Sequence, residues 1–150
     1  MILQLFAVLA LGLMCGSELN VGAFAHPAFN RQPLAAHIAL RSRFAILFGH
    51  VMPFWMTGST LLNGLLLLPF AHLAKPAWKL AGIAFTLQVL AVLFSVVGPV
   101  PINNRIAKWT PENLPGDWKA QENRWDAYHW FRTIGLIAAF ALLVLGVRVC

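Results

Sequence analysis

The sequence predicts an all-α fold: a four-helix transmembrane bundle with a long ordered loop between its third and fourth helices. Hydrophobic residues make up 59% of the 150, and the mean hydropathy is +0.71, too apolar for a water-soluble domain. Four runs, 2–24, 44–70, 78–100 and 129–149, reach the length of about 20 residues that spans a ~30 Å hydrocarbon core. Prolines mark the ends of these runs: His26-Pro27 closes the first, Lys75-Pro76 opens the third and Pro99-Val100-Pro101 ends it, because proline cannot continue a helical hydrogen-bond ladder.

The first run has no basic n-region and no small-x-small cleavage site, so it is read as a retained helix rather than a signal peptide. Residues 1–150 then form one domain without internal repeats. Cys15, inside a span, and Cys150, at the tail, are too few for a disulfide framework. Gly12 and Gly16 are spaced for close helix contact, and Thr57, Ser59, Thr60, Asn63 and Gln88 are expected to bond across helices.

The formal charge of +6 comes from 11 Lys and Arg against 5 Asp and Glu. These basic residues flank the apolar spans, which suits lipid headgroups and not nucleic acid. The expected location is a multi-pass protein of a bacterial inner membrane. Both termini fall on one side (side A). The larger connections, 25–43 and 101–128, fall on the other (side B), and their Lys and Arg content leans side B towards the cytoplasm. The second connection is long and carries Trp109 and Trp118, so it is read as a lid lying on the interface.

Polar residues inside the spans point to side B. Ionisable groups at membrane depth are costly and functional by default. Glu18 lies ~9 Å inside the first helix, at 1.5 Å per residue, and His50 lies at a similar depth in the second. His26 follows Glu18 by eight residues, which at 100° each leaves it within about 80° of the same face. Trp125, His129 and Arg132 form one stripe at i, i+4 and i+7. Pro53, close after His50, frees a backbone carbonyl there. One carboxylate and several imidazoles at one depth make Glu18, His26, His50 and His129 candidate ligands for a single Cu or Fe ion, and a haem between two histidines is a second candidate cofactor.

Two stretches, "PVPINNRIAKW" at 99–109 and "NRWDAYHWFRT" at 123–133, resemble the paired signature of the anthrone-oxygenase-like integral membrane family. The matching positions are Pro101, Asn103, Asn104, Trp109, Trp125, Tyr128, Arg132 and Thr133, and "HPAF" at 26–29 resembles the family's end to its first helix. The chain departs from the pattern with His129-Trp130, where many members carry Asn-His. The resemblance implies four helices and, as for fungal members, oxidation of an anthrone to an anthraquinone.

The expected function is therefore a membrane oxygenase or oxidoreductase acting with O2 on a lipophilic phenolic substrate. His129 is the expected base, since a histidine is poised near neutral pH. Asn103, Asn104, Arg124 and Arg132 would stabilise the phenolate-like anion, while Glu18 and His50 would orient the base or bind a metal. His50, Trp125 and Tyr128 are the candidate cofactor contacts. The alternative is a non-catalytic haem- or metal-binding membrane subunit. A transport element is a third reading, which would require a homo-oligomer and a polar stripe through to side A.

Overall fold

The computed structural model describes residues 2–148, so the expectation for Cys150 lies outside the described residues. Four helices are long and apolar enough to cross a membrane: Ile2–Phe29, Leu34–Leu65, Lys75–Val97 and Trp118–Arg148. The first is composite. Helix α1 (Ile2–Asn20) runs through a π-helical turn, Val21–Ala25, into the short α2 (His26–Phe29). Helix α3 is Leu34–Leu65, α4 is Lys75–Val97, α5 is Pro99–Ile106 and α6 is Trp118–Arg148. No strand is present among the described residues.

The spans pack as an antiparallel ring in which α6 lies against both α4 and α1, and α3 closes against α1 and α4. Small residues make the α4–α6 contact close. Ala77, Ala81 and Ala84 on α4 are buried, and a Cβ on Gly146 would come 3.4 Å from the Ala77 carbonyl. In lipid such small residues matter because apolar bulk alone gives helices no preference for one another over acyl chains.

Several boundaries differ from the sequence expectation, most of them because a helix continues into polar sequence. Helix α3 begins at Leu34, behind Pro33, rather than at 44, and it stops at Leu65, ahead of Pro69, rather than at 70. Helix α6 begins at Trp118 rather than at 129. The stretch expected as a long loop is largely helical: Gly98 breaks the chain between α4 and α5, and only 107–117 remains irregular. A side chain on Gly98 would meet the Phe94 carbonyl at 3.0 Å, which accounts for glycine there. The remaining loop is ordered by Asn113, which accepts from the Thr110 amide at 2.6 Å and donates to the Lys108 carbonyl at 3.2 Å. In the same loop a hydrogen bond from Thr110 holds the Glu112 carboxyl below its ordinary pKa. Trp109 turns inward and is buried with Ile102, Ile106 and Ile38.

The polar residues of the middle membrane mostly bond within their own helices. Thr60 donates to the Met56 carbonyl and Gln88 to that of Ala84, the back-bonding that satisfies such groups locally. Ser59 also reaches across to the Met14 sulfur at 3.6 Å. Gly12 packs under the Phe140 ring, whereas Gly16 faces open space, so the pair does not act as one contact.

Candidate functional site

Two linked ion clusters occupy the side-B half of the bundle. The inner one joins α1, α4 and α6. Arg132 Nη2 donates to Glu18 Oε2 at 2.5 Å, and Arg132 Nη1 donates to the Ser95 hydroxyl at 3.2 Å. His129 Nε2 lies 2.9 Å from the Glu18 backbone carbonyl, and His129 Nδ1 lies 3.2 Å from Glu18 Oε2. A carbonyl can only accept, so Nε2 carries a hydrogen, and in the neutral ring Nδ1 then keeps a lone pair beside the carboxylate. The Trp125 ring stacks on His129 at 4.9 Å and 12°.

The outer cluster joins α2, α3 and α6. Arg41 is 2% exposed, yet it forks onto Asp126 through two bonds of 2.9 Å. It also reaches His26 Nδ1 at 2.6 Å and places Nε 2.6 Å from Glu122 Oε1. His37 Nε2 sits 2.7 Å from the same Glu122 oxygen, and Lys119 closes the cluster on Oε2 at 2.6 Å. The Arg41 Nε and His37 contacts with Glu122 are close charge contacts whose angles fall short of hydrogen bonds. Glu18, Glu122 and Asp126 balance Arg41, Lys119 and Arg132, so the clusters are neutral overall with neutral histidines. Pairing of this kind is what makes buried charge tolerable at membrane depth.

The π-helical turn brings the clusters together. A regular helix would leave His26 about 80° from Glu18. The wider turn cuts the rotation by about 20° per residue, which brings His26 back to within roughly 20° of the Glu18 face. Gly22, inside that turn, lets α6 approach: a Cβ there would lie 3.1 Å from both His129 and Trp130. The His26 and His129 rings are then 6.2 Å apart. On α6, Glu122, Trp125, Asp126, His129, Arg132 and Thr133 share one inward stripe.

Two cavities meet at this stripe. The small one, about 30 Å³, is bounded by Glu18, His26, Arg41, Asn103, His129 and Arg132, with apolar walls from Val21, Ala45 and Phe48. The wide one, about 240 Å³, lies between α3, α4 and α5 and is lined chiefly by Met52, Pro53, Met56, Val92, Val96 and Val100. Phe48, Met52, Asn103, Trp125 and Arg132 border both. Pro53, Thr57, Val96 and Val100 are exposed on the lipid-facing surface, so the wide cavity opens sideways towards the bilayer. Asn103 Nδ2 donates to the Ala45 carbonyl at 2.8 Å and ties α5 to α3 at the junction.

The expected site residues divide accordingly. Glu18, His26, His129, Arg132, Trp125 and Asn103 come together, and Asn104 borders the wide cavity. His50 does not join them: it is exposed, and its Nδ1 bonds to the Ile46 carbonyl of its own helix at 2.7 Å. The rotation of α3 turns it to the outer surface of the bundle. Arg124 is exposed and borders neither cavity. Tyr128 packs edge-on against Phe94 rather than on the cavity. His37, Arg41, Glu122 and Asp126, none of them among the expected site residues, complete the outer cluster. The signal for them is the i, i+4 spacing of His37–Arg41 and Glu122–Asp126, visible once α3 and α6 extend into their polar flanks.

The expected metal set does not assemble. Among the described residues no group of three or more His, Cys, Asp or Glu side chains is arranged to hold a metal ion. The physical reason is that guanidinium groups occupy the donors: Arg132 sits on Glu18 and Arg41 on His26. A haem between His26 and His129 does not fit either, since the space beside them, about 30 Å³, has room for two or three heavy atoms and not for a macrocycle.

Fold and site together define a membrane-embedded helical bundle with a buried carboxylate–imidazole–guanidinium centre at the end of a lipid-facing apolar cavity. The chain matches the family described as anthrone oxygenase over residues 44–142, about two thirds of its length, and it belongs to that family. That match takes in α4, α5, about two thirds of α3 and most of α6, and leaves out Glu18, His26 and Arg41. No curated protein and no solved structure matches the chain.

Proposed function

We propose that the protein is an integral-membrane oxygenase that oxidises a lipophilic phenolic substrate of the anthrone type with dioxygen. The observation that carries this reading is the junction at Arg132: an apolar cavity open to the bilayer ends on a cation already positioned by Glu18 beside His129. Such a cavity takes a flat apolar molecule from lipid, and the polar end fixes its oxygen.

The chemistry asked of the site is removal of a C–H proton whose loss leaves an aromatic, phenolate-like anion. His129 lies on the small cavity, behind the junction formed by Trp125 and Arg132, and supplies the base to the substrate edge presented there, using the Nδ1 lone pair. Once protonated, Nδ1–H meets Glu18 Oε2, 3.2 Å away, so the carboxylate stabilises the imidazolium. Arg132, with donors left after Glu18 and Ser95, faces the anion's oxygen, and Asn103 and Asn104 supply amide groups around it. Apolar walls keep water out and strengthen these interactions. The balance is one CH2 and one O2 converted to one ketone and one water, with the proton held on His129 returned to the departing oxygen.

The test is direct. Purified protein in lipid nanodiscs, given an anthrone under oxygen, is expected to form the anthraquinone faster than protein-free nanodiscs do. His129→Ala is expected to lower that rate ~10²–10⁴-fold, the usual worth of a positioned base. Equal rates for the wild type and His129→Ala would remove histidine catalysis from the proposal.

A further inference from the structure

The small cavity is not explained by a ring-shaped substrate. At about 30 Å³ it excludes any aromatic ring but admits a molecule of two or three heavy atoms. It adjoins the wide cavity through Asn103, Trp125 and Arg132, so its occupant would sit against whatever fills the wide one. Three charged groups border it, Glu18, Arg41 and Arg132, and these sum to one net positive charge at the wall. The carboxylates that balance Arg41, Asp126 and Glu122, stand behind it and do not border the cavity. Two imidazoles, His26 and His129, also line it.

The geometry points to this cavity as the seat of dioxygen and of the small oxygen anion formed from it. This assignment rests on the oxygenase reading above. An apolar wall of Val21, Ala45 and Phe48 suits neutral O2 on arrival. The substrate anion then gives one electron to O2, leaving a substrate radical in the wide cavity and superoxide in the small one. Negative charge thereby moves from one cavity to the other, into the field of Arg41, Arg132 and the protonated His129, where fixed cations stabilise it. The pair combines to form the C–O bond of a peroxide anion, which takes the proton from His129 Nδ1. Loss of the second C–H proton and departure of hydroxide, rejoined by that proton, give the ketone and water. No other oxidant is required.

Azide, a small anion without reactivity towards the substrate, is the probe. Infrared spectroscopy of the full chain in nanodiscs is expected to show a saturable band for bound azide, distinct from the band of free azide. Ala45→Leu and Val21→Phe fill the small cavity from opposite walls, and neither residue borders the wide one. Each is expected to abolish the bound-azide band and to raise KM for O2 ~10-fold while leaving KM for the anthrone unchanged. Absence of a bound band in the wild type, or an equal band in both filled variants, would overturn the anion seat whatever the activity. Azide binding in a chain that turns over no anthrone would keep the anion seat and discard its oxygen role. A rise in KM for the anthrone alone would place the substrate ring, and not oxygen, in this space.

Discussion

Arg132 of α6 reaches across the bundle to Glu18 of α1, and the 2.5 Å contact between them is almost wholly removed from solvent. A chain that spends a buried arginine and a buried glutamate on each other inside a membrane fixes the relative rotation of two helices. It also leaves a charged centre where lipid would otherwise tolerate none.

Removing one partner strands the other. Arg132→Leu is expected to destabilise the folded bundle by about 3–5 kcal/mol, because an uncompensated buried charge remains. The double variant Glu18→Gln/Arg132→Leu should recover a large part of that loss. Unfolding titrations of the single and double variants in mixed micelles read the coupling, and additive effects would show that the pair is not energetically linked.

The π-helical turn makes a prediction that a regular helix would not. Deleting Phe24, which is 67% exposed, shortens the eight-residue step from Glu18 to His26 to seven, and seven at ~100° each return to nearly the same face. The deletion variant is therefore expected to keep the Arg41–His26–Asp126 cluster and most of its thermal stability. Inserting one alanine after Phe24 should swing His26 by ~100° away from Asp126 and lower the unfolding temperature. The reverse order of stabilities would refute this account of the turn.

The lipid-facing mouth can be closed without touching the charged centre. Val96 borders the wide cavity and is 60% exposed. Val96→Trp is expected to reduce kcat/KM for a bilayer-borne substrate at least ~10-fold, with the unfolding temperature unchanged. Unaltered kinetics would mean that the substrate comes by another path.

His50 supplies the contrasting case. It is exposed and bonded to its own helix, so His50→Ala should change activity by less than about 2-fold, as surface substitutions do. A loss as large as that of His129→Ala would return His50 to the site.

The sequence by itself determined the number of spans, the side of the membrane at which polar groups gather and the signature at 99–109 and 123–133. Run length against bilayer thickness fixes the first, and the cost of buried charge makes the second readable. Which side chains face one another was decided only by the tertiary structure. His50 and Glu18 are expected at one depth in one site, yet His50 faces out and Glu18 faces in. Arg41 and Glu122, which the apolar runs left outside, are among the most buried groups in the chain. In lipid the outer face of a helix is as apolar as the inner one, so hydrophobic periodicity carries almost no information about rotation. That rotation came instead from close packing at Gly22, the extra residue of the π-helical turn and the ion pairs themselves, all of which depend on contacts between residues far apart in the chain.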